Sequence, residues 1–329
     1  MFELSEIMSK PNAMTDWAGK VVYNIDMSAE EKEINEAMDA WAKELGKTGD
    51  PQHEIAELVR KTFANEEVNA PSELLSMLFD ESAIGEFDDY TEEIEPENTI
   101  VAHEAIIEGN VDRSFIEHLY RQPVWKGLAA ETDISMQDLR RGGYRTVANL
   151  VNYMKEALEM KKVKMLLDHV DTLVTAGQAN YFTEAGTTPS TATMDAFELY
   201  LHDVSNGASP LAFSLSKYHQ AISKLPQAER FLTDKDKNLY NSTGFIDMYG
   251  GVRLMSYSGQ KKLGDGSLIV PDKRVFGLAG KIGSAITRGE ARVLEEQSIN
   301  TERIHIKVTG YNFGYCVRDP KKIAKIVME

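Results

Sequence analysis

Apolar residues recur at helical spacing near the amino terminus. Ser28 and Glu31 form an S-x-x-E capping box, which satisfies the open amides of a helix start. Ile34, Met38, Trp41 and Leu45 follow as one apolar stripe and predict a helix there. A second helix is expected to open at Asp50-Pro51 and to carry Ile55, Leu58, Val59 and Phe63. A third begins near Ser72, with Leu74, Leu75, Met77 and Leu78. The longest periodic run lies mid-chain. Between Tyr144 and Thr175 there is neither Gly nor Pro, while Val147, Leu150, Val151, Met154, Leu158 and Val163 keep a helical period that continues to Val174. At about 1.5 Å per residue, roughly 30 residues make a rod of about 45 Å. Gly177 is its natural stop. Shorter helices are expected at Ser135 to Arg141, halted by Gly142-Gly143, at Asp195 to Asn206, stopped by Gly207, and at Lys217 to Leu225.

Elsewhere the period shortens. Between about Asn98 and Asp133 the apolar residues Ile100, Ile106, Ile107, Phe115, Ile116 and Tyr120 are mixed with polar ones, and Gln122-Pro123-Val124-Trp125-Lys126 looks extended. Strands or a long hairpin are expected there. Pro210 to Leu215 predicts a short buried strand, Thr233 to Thr243 is rich in turn formers, and Gly250-Gly251 leads into Val252 to Met255. Gly264-Asp265-Gly266 is a turn signal between strands. The end of the chain reads as mostly β, through Leu268 to Val270, Val275 to Leu278, and the alternation of Ile304, Ile306 and Val308. Tyr311, Phe313, Tyr315 and Val317 alternate in the same way, and the two runs are expected to pair about Gly310. The sum is an α+β chain.

With 329 residues, 42% hydrophobic and 27% charged, the chain can bury one large core or two modest ones. No run approaches the roughly 20 apolar residues of a membrane span, and the opening MFELSEIMSKPN is not expected to act as a signal peptide. Cys316 is the sole cysteine, which excludes intrachain disulfides and suits a reducing compartment. The formal charge of −16 argues against duplex binding, where affinity comes from neutralising phosphates. From Asp80 to Glu97 there are nine acidic residues and no basic one, a block expected to form a solvated loop or tether.

Signals for chemistry are weak. Gly280-Lys281 lacks the phosphate-loop pattern, having Val275 and Ile282 where Gly and Ser or Thr are required. His103, Glu104 and Glu108, or Asp195, Glu198 and His202, can share a helical face, but no matching Glu-x-x-His helix exists for a bundle metal site. No G-x-S-x-G elbow is present, and Cys316 in an alternating strand reads as a small apolar side chain. No catalytic, cofactor or metal residue is therefore assigned.

The order of elements resembles the major capsid proteins of tailed bacteriophages, the Hong Kong 97-type fold. Residues 144 to 175 look like the family's spine helix. Asp195 to Asn206, Ser209 to Ser214 and Lys217 to Leu225 look like its axial passage. Met248 to Met255, Leu268 to Asp272 and Arg274 to Gly277 resemble the strands that follow, and Ile306 to Pro320 the terminal strand with its Asp-Pro turn. The resemblance implies a helical acidic arm or assembly region over 1–97, an extended E-loop hairpin over 98–133, and a peripheral domain with the spine over 134–189. An axial domain over 190–262 and a closing peripheral sheet over 263–329 complete it. It also implies a virion shell protein assembled in the host cytoplasm as hexamers and pentamers around double-stranded DNA. Portal, scaffolding or decoration proteins would be its partners, and membrane and cofactor would play no part. Tyr120, Arg121, Trp125 and Lys126 are candidate subunit-contact residues, because aromatic and arginine anchors dominate interfaces. Relatives that crosslink join Lys to Asn; Lys126 with Asn300 or Asn312 is the pairing this sequence offers. An encapsulin-type nanocompartment shell is the alternative within the fold. A cytoplasmic enzyme or another phage head or tail component lies outside it.

Overall fold

The computed structural model describes residues 20–21, 27–45, 47, 56, 59–60, 73–94, 119–226, 245–257, 263–289, 292–298 and 303–329. Helix α1, Ala29–Leu45, opens on the predicted box: Ser28 N donates to Glu31 Oε2 (2.8 Å) and Glu31 N donates to Ser28 Oγ (3.3 Å). Of the second expected helix only residues 56, 59 and 60 are described, and they are helical. Helix α2, Glu73–Leu78, runs straight into strand β1, Phe79–Ile84. Strands β2, Glu92–Ile94, and β3, Leu119–Arg121, pair antiparallel across the span 95–118, and β4 follows as Val124–Ser135. Most of the span expected as the hairpin lies outside the described residues, as do the turn-rich residues 233–243.

Helix α3, Met136–Gly142, is capped by Ser135 and ends at Gly143. Gly143 has φ +56°, and an added Cβ would lie 3.0 Å from the Asp39 carbonyl oxygen, so only glycine lets α1 cross here. The spine, α4, is Tyr144–Leu173, 30 residues without a break. Strand β5, Tyr181–Glu184, precedes α5, Thr191–Val204. This helix starts before the expected Asp195, because Ser190 accepts from Thr193 N (3.4 Å) while Glu184 accepts from Ser190 N (2.9 Å) and the Thr193 hydroxyl (2.7 Å). Strand β6, Leu211–Leu215, leads into α6, Ser216–Ser223, and β7, Met248–Tyr249, turns into β8, Val252–Tyr257. The remaining strands are β9, Arg274–Leu278; β10, Gly283–Arg288; β11, Arg292–Ser298; β12, Arg303–Val317; and β13, Ile323–Met328.

Two sheets result. In the first, the order is β1-β10-β12-β11, with β4 along the far side of β12. The second has the order β5-β13-β9-β6-β8-β7. The residues expected as one closing sheet, 263–329, therefore serve both: β10, β11 and β12 enter the first, β9 and β13 the second.

Strand β12 corrects the expectation of a pairing about Gly310. It is one continuous strand with a bulge: Val308 pairs with Ala130 and Tyr311 with Leu128, so β12 carries one residue more than β4 between these points. An extra residue shifts side-chain parity. Ile304, Ile306 and Val308 are buried before it, and Phe313, Tyr315 and Val317 after it. The bulge thus keeps both apolar runs on the inner face, and the change from even to odd numbering was its trace in the sequence.

Three further expectations change. Leu268 makes an isolated bridge and Ile269-Val270 a bend, not a strand; Ile269 and Val270 are both fully buried, and Pro271 supplies no amide to a ladder. The Asp319-Pro320 turn does not end the β structure: Asp319 caps a short 3-10 helix at Pro320–Lys322, and β13 then enters the second sheet between β5 and β9. The acidic block is partly folded, because β1 and β2 lie within it and cations distant in sequence neutralise it.

The spine joins the sheets. Lys162 Nζ sits 5.7 Å from the Phe313 ring centroid, and His169 packs on Tyr315 at 4.9 Å, so α4 crosses the inner face of the first sheet. At its far end the Asp171 carbonyl and carboxylate accept from the buried Lys325 of β13 (2.7 and 3.0 Å), and the carboxylate accepts from Arg274 of β9 (3.3 Å). One continuous hydrophobic core runs from the first sheet to the second.

Candidate subunit-contact surface

Opposite the spine, the outer face of the first sheet carries the base of the β2–β3 ribbon. Glu92, only 4% exposed, anchors it. Its carboxylate accepts from Ser284 Oγ of β10 (3.0 Å), from the Tyr90 hydroxyl and from Arg318 Nε. Burial alone would raise this carboxyl group, but hydrogen bonds from Tyr90, Arg318 and Ser284 outweigh it and hold the pKa below the ordinary carboxylate value. Arg318 also reaches Ser284 Oγ (2.7 Å) and the Asp80 carboxylate (3.0 Å), while Lys281 completes the group on Asp80 (2.8 Å). Arg121 Nη1 donates to the Val317 carbonyl (2.9 Å), a second fastening of the ribbon. Five chain segments meet in this knot. Glu92 and Arg318 stand 226 residues apart, and no local pattern announces the pairing.

The four candidate contact residues divide. Tyr120, 66% exposed on β3, projects into solvent beside exposed Leu119 and Val124. Arg121 spends a guanidinium nitrogen on the Val317 carbonyl. Trp125 is half-buried and lies across Gly314, whose added Cβ would come within 2.6 Å of the ring, with Arg288 stacked at 5.6 Å. Lys126 is exposed and opposite Phe313, whereas Asn312 is opposite Gly127. Lys126 and Asn312 therefore face opposite sides of the sheet within one chain. Asn300 lies outside the described residues, as do His103, Glu104 and Glu108.

Below the ribbon the outer face is charged. Asp133 pairs with His305 and with Arg303 (3.7 Å), and Glu131 with Lys307 (3.9 Å). A cleft of about 700 Å³ opens at the β4 margin, walled by α3 and the start of α4 and lined by Ala130, Arg141, Leu150, Tyr153, Met154 and Ala157, among others.

The other chemical candidates are engaged structurally. Asp195 accepts from the Tyr249 hydroxyl (2.8 Å), and burial together with that bond pushes the tyrosine pKa up. His202 Nε2 donates to the Gly250 carbonyl (3.0 Å). Among the described residues no group of three or more His, Cys, Asp or Glu side chains is placed to hold a metal ion. Cys316 is buried opposite Ser284, and burial pushes its thiol up, away from the reactive thiolate. Lys281 binds Asp80 beside a glycine turn. Among the described residues no helix is long and apolar enough to cross a membrane.

A long helix braces two sheets and a ribbon is pinned to the outer face of one; in fold the chain matches solved capsid structures of tailed bacteriophages, as the resemblance implied. The chain is similar in structure to the capsid of a native GTA particle, with TM-score 0.58 and 12% identity over 80% of this chain and 90% of that one. It is similar to the capsid of cyanophage P-SCSP1u, with TM-score 0.52 and 8% identity over 78% and 88%. The mature capsid of bacteriophage PhiM1 gives TM-score 0.51 and 12% identity over 75% and 85%. Neither a family model nor a curated protein matches the sequence.

Proposed function

We propose that this chain is the major capsid protein of a tailed phage. In this reading it forms the hexamers and pentamers of an icosahedral head around double-stranded DNA. The observation that carries the reading is the 30-residue spine tied to both sheets, which braces the subunit as a plate. Such a plate transmits load between neighbours, and many weak rim contacts sum to a stable shell. The six-stranded sheet with α5 and α6 serves as the axial part, and the spine with the five-stranded sheet as the peripheral part. In this reading β3 and the start of β4 belong to the E-loop expected over 98–133, which roots in the pinned ribbon. Tyr120, Arg121, Trp125 and Lys126 mark the ribbon's root, where a neighbour meets it. The charge of −16 suits a wall that does not adhere to packed DNA, so DNA is enclosed without sequence-specific binding. Portal, scaffolding or decoration proteins are the further partners.

Negative-stain microscopy and light scattering of the purified chain, alone and co-expressed with its phage partners, test the proposal. Rings or closed shells are expected. A species that stays monomeric under both conditions overturns it. Shells that copurify with an enclosed protein in place of DNA favour the encapsulin alternative.

A further inference from the structure

We propose that Phe87 is a knob that seats in the spine-side cleft of a second copy, joining subunits head to tail. The inference rests on the shell reading and adds the residues of one lateral contact.

Residues 85–88 make a tight turn in which Asp88 N donates to the Gly85 carbonyl (3.2 Å) and Gly85 N donates to Asp88 Oδ2 (3.0 Å). Arg292 grips both Glu86 carboxylate oxygens (2.8 and 2.7 Å), and Arg288 Nε donates to the Glu86 carbonyl (2.7 Å). These bonds pin a turn whose tip, Phe87, is 89% exposed. A ring held in water on a fixed turn loses little further freedom when a partner covers it. Aromatic anchors of this kind carry a large share of interface energy.

The cleft offers the matching surface. Leu150, Met154 and Ala157 supply apolar wall, and Tyr153, 67% exposed, stands beside them. Arg141 lines the same cleft, and exposed Arg145 lies on the first turn of α4. The knob carries exposed Asp88 and Asp89 beside its ring, so the signs are complementary. Glu131, which also lines the cleft, is paired with Lys307 (3.9 Å), leaving Asp138 as the acid that opposes this match.

Placement sets the kind of contact. The turn follows β1, at one margin of the five-stranded sheet, and the cleft adjoins β4, at the other. A knob and a hole on opposite margins are not self-complementary. Repeating the contact therefore closes a ring or extends a filament.

The test uses the full chain carrying D89C and N149C, in which buried Cys316 is the only other thiol. Assembled material is treated with a short bis-maleimide and run on a denaturing gel. A ladder of covalent multimers is expected from the double variant, and monomer alone from either single variant. F87S should leave thermal unfolding unchanged and raise the concentration at which assembly begins by roughly tenfold or more. R141E should raise it in the same direction, again without a change in melting. Normal assembly of F87S and R141E with no ladder overturns the contact and leaves the shell reading intact. Blocked assembly of F87S with no ladder also overturns it, since Phe87 then seats on some other surface. If the unaltered protein never associates, the shell reading and this contact fall together.

Discussion

In the six-stranded sheet, β6, β9 and β13 bury almost every side chain; in the five-stranded sheet, β4, β11 and β12 turn Glu131, Asp133, Arg303, His305, Lys307 and Leu294 outward. The first arrangement leaves no choice of neighbour. Phe213 stacks on Phe276 at 5.2 Å, and Gly277 lets α5 lie flat, since a Cβ there would come 2.7 Å from Leu201 Cδ1. The second spends one face on the spine and carries the β2–β3 ribbon and a charged surface on the other. Under the proposed shell function both have a use: a hub that does not deform and a platform that others can reach.

The sharpest way to break this contrast is truncation. F276A in the hub should cost about 3–5 kcal/mol in denaturant unfolding, whereas L294A on the platform should stay within about 0.5 kcal/mol. Equal losses would erase the distinction. Next in size is R318A, which takes the cation from buried Glu92 but leaves it the Tyr90 and Ser284 hydroxyls, and should cost about 1.5–3 kcal/mol. Its effect should concentrate as lost hydrogen-exchange protection at 92–94 and 119–121. E92Q combined with R318M should recover much of that loss, because no charge is then left buried alone.

Acid should separate the regions too. In the hub His219 is buried; its Nε2 donates to the Ile246 carbonyl (2.7 Å), and among the described residues Nδ1 has no hydrogen-bond partner. Burial pushes its pKa below the ordinary 6.5. The unfolded chain then binds the proton first, so stability falls as pH drops through 6.5, by at most about 1.4 kcal/mol per unit. Asp247, whose charge favours the imidazolium, limits the drop. H219Q should flatten this part of a stability-against-pH curve. Glu92 behaves in the other window. Its folded pKa lies below the ordinary 4.5, so its contribution is complete above that value and disappears only as pH falls through the lower one. His169, pushed below 6.5 by burial and by Arg121, weakens the spine's packing on Tyr315 in the same window. The hub should therefore loosen before the ribbon's root only to the extent that His219, the more deeply buried of the two, dominates. Exchange measured at pH 7 and pH 5.5 would contradict this if residues 92–94 open first. The smallest effect is expected at the charged outer face, where K307A should change stability by less than about 1 kcal/mol, since both partners of the Lys307–Glu131 pair are solvated.

Helices were legible in the sequence because their signals are local. The Ser28–Glu31 box, the uninterrupted period from Tyr144 onward and the glycines at 142, 143 and 207 each act within a turn or two of chain. The order of those elements also carried the fold class. Strands fared less evenly. Alternation marked β12, but whether its change of parity meant a turn or a bulge depended on β4 lying alongside. Acidic β1 and β2 looked solvated because the cations that neutralise them, Lys281 and Arg318, come from the far end of the chain. The candidate contact surface was readable only as residue types. Tyr120 stays outside, while Trp125 is laid across Gly314 by a strand pairing that no local pattern specifies. The sequence by itself determined which segments coil and which faces are apolar, since those depend on neighbours a few residues away. Tertiary structure alone decided which charges are buried together and which strands share a sheet, since those depend on segments brought together from more than two hundred residues apart.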